Sequence, residues 1–196
     1  MILFLDSLSD NDIRKIRRRS SVRWFRPMLA TRGVEPFSDP GWIFERALGG
    51  VRCIALGDAN GVRLRSDDNK DISRSFPSIV EALSHQPTTT FALDGEIVAA
   101  GLKSGRRVPD RLYLYDVVQI DGYDVSRLEL GDRKRLLRMS FSFGGPVRYS
   151  RYRNGAGEDL FAEACKSGWA GVIAKKRSAP YHQSPSKFWL EFPCPR

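Results

Sequence analysis

Histidine, cysteine and methionine are scarce in this 196-residue sequence, with two, three and three copies. Cys53, Cys165 and Cys194 lie far apart and form no C-x-x-C pair. Neither a disulfide framework nor a zinc site is expected from them, and a reducing, cytoplasmic setting fits. His85 and His182 have no partner at metal-binding or triad spacing and read as surface-loop residues. Long apolar runs are missing too. The opening MILFL holds five apolar residues with the basic run behind it, the wrong length and order for a signal peptide or a membrane span. Acidic charge is in deficit: 23 Asp and Glu face 32 Lys and Arg, for a net charge of +9.

What is present is enough apolar material, 41% of residues, for one large domain or two small ones. The basic excess is mostly arginine, 24 against 8 lysines within the 32. Guanidinium forks match phosphate geometry, so a polyanion is the expected partner, nucleic acid before membrane. Residues 1–26 form a basic N-terminal arm or helix carrying Arg14, Lys15, Arg17, Arg18 and Arg19. Such a block is either a solvated face or a nucleic-acid contact. Trp24 and Phe25 at its end are placed to staple it to a core.

Beyond Pro27 the pattern is one of short strands and helices. Strands are expected at 42–44, 51–56 and 62–65, with Asp58, Asn60 and Gly61 turning the last pair. FPSIVEAL at 76–83 has proline in its first turn and apolar residues at helical spacing. TFALDGEIVAA at 90–100 splits into two apolar runs around Asp94 and Gly95, and RLYLYDVVQI at 111–120 is rich in β-formers. A helix at 131–139, a strand at 147–152, a helix at 158–167 and strands at 171–176 and 188–192 complete the chain. No regular βαβ alternation appears, so the class is α+β and mainly antiparallel.

Several segments fall in a recognisable order: PMLA, FERALGGVR, LRSDDNKD, LDGEIVA, LYLYDVVQIDGYDV, GVIAKKRSAPY and FWLEF. Together they resemble the adenylation domain of ATP-dependent DNA ligases, in particular the ligase module of multifunctional bacterial end-joining enzymes. The resemblance implies a nucleotidyltransferase fold, two mainly antiparallel sheets with flanking helices around an ATP cleft, over residues 27–196, with no oligonucleotide-binding domain. In that family the first motif reads E-x-K-x-D-G-x-R, and its lysine attacks the α-phosphate of ATP. Laid on this chain, Glu45, Gly50 and Arg52 match, while the lysine position is Ala47 and the aspartate position Gly49.

Alanine has no lone pair to offer phosphorus, and the neighbouring Arg46 stays protonated at any working pH. The resemblance makes Glu45, Arg52, Glu96, Tyr115 and Lys175 the nucleotide-binding candidates, with Tyr115 as the adenine platform. Glu96 is the metal candidate, but its partner position is Ala170. Two lysines expected in the last motif are replaced by Glu191 and Pro193, and the arginine expected after Ser66 is Asp67. A ligase built this way is expected to be degenerate and unable to form lysine-AMP. It requires no cofactor, although ATP or AMP with Mg2+ could persist as vestigial ligands. It would bind DNA, or assist a repair protein or competent ligase, as a non-catalytic factor in DNA repair.

Other readings stay open at this stage. An active ligase needs another lysine, from Lys70, Lys103 or Lys187, and a protein-interaction subunit needs no nucleotide at all. Glu45 and Arg52 could be a structural ion pair across the turn, Glu96 a hairpin cap, Tyr113 and Tyr115 core residues, and Lys175 to Arg177 a solvated strand end.

Overall fold

The computed structural model describes residues 5–103 and 106–195, the side chains of 7, 102, 103, 106 and 107 excepted. A short helix, α1 (Asp10–Ile13), is capped by Ser9 and leads into strands β1 (Arg17–Arg18) and β2 (Leu29–Arg32). Then follow β3 (Trp42–Ala47), β4 (Val51–Asp58), β5 (Gly61–Arg65), α2 (Pro77–Ser84) and β6 (Phe91–Val98). A small hairpin, β7 (Gly101–Lys103) and β8 (Arg106–Val108), precedes β9 (Arg111–Ile120) and β10 (Tyr123–Asp124). The chain ends with α3 (Leu130–Ser140), β11 (Val147–Tyr149), β12 (Tyr152–Asn154), α4 (Gly157–Lys166), β13 (Gly171–Lys176) and β14 (Pro185–Pro193).

Two sheets result. The first runs β1-β10-β9-β6-β4-β5, with β11 added in parallel to β9. The second runs β12-β3-β13-β14-β2, antiparallel except for the β14/β2 edge. Both are mainly antiparallel and helices flank them, so the class is α+β, as the strand pattern implies. β9 sits inside the first sheet and buries residues on both faces, which explains its nearly unbroken apolar run.

Three apolar clusters hold the layers together. One joins α2 and α3 to the outer face of the first sheet through Ile79, Leu83, Leu136 and Leu137. Another lies between the sheets and contains Phe25, Met28, Ile54, Tyr115 and Trp189. The third packs Leu160 and Ala164 of α4 on Phe44 and Val172 of the second sheet. Phe25 is buried and the Trp24 indole donates to the Ser66 carbonyl, so both aromatics do staple the arm. The arm is not a long helix: β1 pairs with β10, Arg17 opposite Asp124.

Two sequence expectations need correction. LDGEIV is one continuous strand rather than two runs, because Asp94 is buried and fully partnered within it. Cys165 and Cys194 form a disulfide, with Cα atoms 5.2 Å apart and a sequence separation of 29. α4 packs on β13, whose partner β14 delivers Cys194 to the end of that helix, so distance along the chain was no guide. Cys53 stays free and buried. No described helix is long and apolar enough to cross a membrane.

Candidate nucleotide cleft

The residues of FERALGGVRC are split between two sheets by a tight turn. β3 ends at Ala47 in the second sheet, and β4 starts at Val51 in the first. Gly49 has φ +68°, a conformation that favours glycine, and a Cβ on Gly50 would lie 2.2 Å from the Ile97 carbonyl oxygen. The paired glycines therefore let the chain cross from one sheet to the other against β6. Glu96 receives the Gly50 N–H on its carboxylate, so it braces this turn from mid-strand instead of capping a hairpin.

Alternation along β3 turns Glu45 inward between the sheets, and there it meets two lysines. Lys134 on α3 approaches Glu45 Oε1 at 2.6 Å, and Lys175 on β13 approaches Oε2 at 2.9 Å. The Ser150 hydroxyl donates to Glu45 Oε2, and the Lys134 ammonium also donates to the Ser150 carbonyl. All three charged side chains are almost fully buried, at 1–2% exposure. Burial pushes the Glu45 carboxyl up, but Lys134 and Lys175 beside it outweigh that and hold it below the usual carboxylate range. Burial pushes the Lys134 ammonium down; Glu45 opposes this, Lys175 adds to it, and the balance is a lowered pKa.

Arg52 does not pair with Glu45. Its guanidinium makes a two-pronged contact with Asp94, Nε to Oδ1 at 2.7 Å and Nη2 to Oδ2 at 2.6 Å, and also donates to the Met28 carbonyl. Register explains the choice: Arg52 sits opposite Glu96 across β4 and β6, which makes Asp94 its diagonal neighbour on the same face. The Tyr181 hydroxyl donates to Asp94 as well and accepts from the Met28 N–H, which ties the segment 27–30 into the same network.

Tyr115 is 6% exposed, and its ring is covered by cations. Lys175 Nζ lies 4.0 Å from its centroid and 4.0 Å from that of Trp189. The Arg52 guanidinium lies 5.1 Å and 5.7 Å from the same two rings. A base stacking on Tyr115 would have to displace Lys175. The cavity left between Glu45, Arg52, Glu96, Tyr115, Lys175 and Trp189 is about 80 Å³. An apolar cavity of about 150 Å³ is what takes up a benzene molecule, so a purine nucleotide does not fit without rearrangement.

The donor set is equally poor for Mg2+. Glu45 is taken by two ammoniums, position 170 is alanine, and Glu96 alone remains. No group of three or more metal-binding side chains occurs among the described residues. Lys175 is a buried side chain rather than a solvated strand end. Among the other lysines weighed as substitutes, Lys70 is 78% exposed and pairs with Asp68, Lys187 is exposed, and the Lys103 side chain lies outside the described residues. Glu191 is exposed on β14. His182 is half-buried and stacks on Phe188, not a free surface residue.

Sequence reasoning missed Lys134 and, beside it, Arg133. Arg133 is fully buried, grips Asp116 through Nε and Nη2 at 2.8 Å and 2.9 Å, and donates to the Leu128 and Ala179 carbonyls. A signal was available. Positions 130, 133, 134 and 137 recur at helical spacing, so the two basic residues share the face of Leu130 and Leu137.

Comparison with known proteins places this arrangement. The end-joining DNA repair protein LigD of Mycobacterium tuberculosis is 30% identical over 166 residues, covering 79% of this chain and 22% of that protein. The solved ligase domain of the same LigD superimposes with a TM-score of 0.71 at 28% identity, over 86% of this chain and 59% of that one. This chain belongs to the adenylation-domain family of ATP-dependent DNA ligases. A Bacillus subtilis prophage-derived DNA ligase-like protein, LigB, is 27% identical over 181 residues, 84% of this chain and 66% of LigB. A Chlorella virus DNA ligase-adenylate shares the fold at a TM-score of 0.60 and 16% identity. No protein-family model matches the chain. The chain spans about a fifth of the length of the LigD relatives.

Proposed function

We propose that this ligase-like adenylation domain is non-catalytic and acts in DNA repair as a nucleic-acid-binding accessory factor. The observation that carries the reading is what stands at the nucleophile position. Ala47 occupies it, and the lysine that lines the cleft, Lys175, is held by Glu45 and boxed by Tyr115 and Trp189. Adenylyl transfer depends on positioned positive charge and on a nucleophile held to about an ångström. Here the cleft's lysine charge is spent on an internal carboxylate.

The DNA part of the reading rests on family and charge. LigD is named for end joining in DNA repair, and this chain carries +9. On the arm, Lys15 pairs with Asp12 and Arg19 with Asp124, and Arg18 lies over Tyr123, which leaves Arg14 and Arg17 exposed without an ion pair among the described residues. These two are the arm's best phosphate contacts.

One observation favours a second reading, an active enzyme with a relocated nucleophile: Lys134, buried behind Glu45, has a lowered pKa, the property such a lysine needs. Incubation with α-labelled ATP and Mg2+, followed by denaturing electrophoresis, separates the two. No labelled protein band is expected. A band that Lys134→Met or Lys175→Ala removes would establish the active enzyme and end the non-catalytic reading.

A further inference from the structure

On the outer side of the Glu45–Lys134 pair lies a second hollow of about 530 Å³, which shares no lining residue with the cleft. It is formed where α3 ends and β11 passes to β12, and it is lined by Arg138, Phe143, Arg148, Tyr149, Arg151 and Tyr152. Three of the six are arginines and three are aromatic. None of the arginines has a carboxylate partner among the described residues.

The aromatic side is built rather than incidental. Phe143 meets Tyr149 edge to face with centroids 5.3 Å apart, and the Arg138 guanidinium lies 5.8 Å and 5.7 Å from those two rings. Behind them the buried Lys134 ammonium is 4.5 Å from the Tyr149 centroid and 5.2 Å from that of Tyr152. Tyr152 is nevertheless 36% exposed at the mouth. Three guanidiniums without a carboxylate among the described residues, held around an open tyrosine, repel one another, and a bound polyanion would relieve that repulsion.

We propose that this hollow binds single-stranded nucleic acid, with a base stacked on Tyr152 and neighbouring phosphates held by Arg138, Arg148 and Arg151. The inference rests on the nucleic-acid reading above and adds to it a site and a strand preference. The preference follows from geometry. A tyrosine at the mouth of a concave pocket reaches the face of a base only when that base is unstacked, as in a single strand, whereas a duplex offers the arginines phosphates alone.

The test is fluorescence anisotropy with a labelled single strand of roughly 12 nucleotides and the matching duplex, at about 50 mM salt and above. Tyr152→Ala should weaken single-strand binding about tenfold and leave duplex binding unchanged, while Tyr152→Phe, which keeps the ring, should bind as the parent does. Arg148→Ala with Arg151→Ala should lower the salt slope by about 1.4, at roughly 0.7 for each phosphate left without its arginine. Circular dichroism melting checks that each variant folds. Parent-like single-strand binding by Tyr152→Ala, or equal losses on both substrates, overturns the site and leaves the broader reading standing. No binding of either nucleic acid by the parent overturns both. Capture of polyglutamate in place of DNA would assign the hollow to an acidic protein partner and refute the proposal.

Discussion

Glu45→Gln tests the central arrangement most directly, because it removes the one negative charge held between two buried ammoniums. Breaking a buried pair by deleting one partner costs about 3–5 kcal/mol, since the remaining charge has neither water nor counterion. The cost has a ceiling. A stranded lysine can shed its proton, and doing so at pH 7 from an ordinary pKa near 10.4 costs about 4.6 kcal/mol, at about 1.36 kcal/mol per unit. One neutral lysine beside glutamine is tolerable, so the expected loss at pH 7 is about 4 kcal/mol.

The pH dependence carries a signature that a simple packing defect lacks. In the variant, the folded state binds fewer protons than the unfolded state at the neutralised lysine, so its stability rises as pH rises toward the unfolded lysine value. The gap to the parent should narrow by about 1.4 kcal/mol per pH unit above pH 7. On the acid side the sign comes from Glu45, whose lowered pKa makes its contribution complete above the unfolded carboxylate value and lost as pH falls through the folded one. Once the carboxyl is protonated it resembles the glutamine, and the gap closes again. Urea unfolding at pH 5, 7 and 9 reads this as a gap that is smaller at pH 9 than at pH 7 and has not begun to close at pH 5, above the unfolded carboxylate value. Adding Lys134→Met should recover part of the loss, because only one ammonium then remains. A gap under about 1 kcal/mol at pH 7, or one that is flat from pH 7 to 9, would refute the assignment of Glu45 as the shared counterion.

Two further outcomes follow from the fold. Reducing the Cys165–Cys194 disulfide, which closes a loop of 29 residues, should lower stability by about 3.5 kcal/mol on the chain-entropy account, measured by urea unfolding with and without reductant. Gly50→Ala should cost about 2–3 kcal/mol, because the new methyl meets the Ile97 carbonyl at 2.2 Å and a backbone must move; thermal melting reads it as a lowered Tm.

The parts of the fold legible in the sequence were those fixed by local pattern. β9 and β13 run over the residues their β-formers mark, 111–120 and 171–176. What stayed hidden depends on partners remote in sequence. Asp94 reads as a turn residue until Arg52 and Tyr181 are seen to satisfy it. Arg133 and Lys134 read only as members of a helix at 131–139 until Asp116 and Glu45 meet them from strands of the two sheets. Cys165 and Cys194 read as isolated thiols until α4 and β14 meet. In each case a long-range contact reversed the local preference.

That same dependence bears on what a preserved motif means. The ligase resemblance makes Glu45, Arg52 and Lys175 nucleotide candidates and includes the segment LDGEIVA that holds Asp94, and that likeness alone would suggest a working cleft. In this chain each is already committed to another protein group. Lys175 and Glu45 join neighbouring strands, Lys134 ties Glu45 to α3, and Arg52 with Asp94 anchors the segment around Met28 through Tyr181. Every one of these charges is buried or nearly so, and losing any one strands its partner at a cost of several kcal/mol, a large part of the 5–15 kcal/mol that a domain has in total. Folding alone is therefore sufficient reason for these residues to persist, whether or not the cleft carries out chemistry. Retention of the carboxylates and cations is evidence about how the two sheets are held together. Evidence about chemistry must come from groups the fold does not need, and the exposed Tyr152 with the arginines around it that lack a carboxylate partner are groups of that kind.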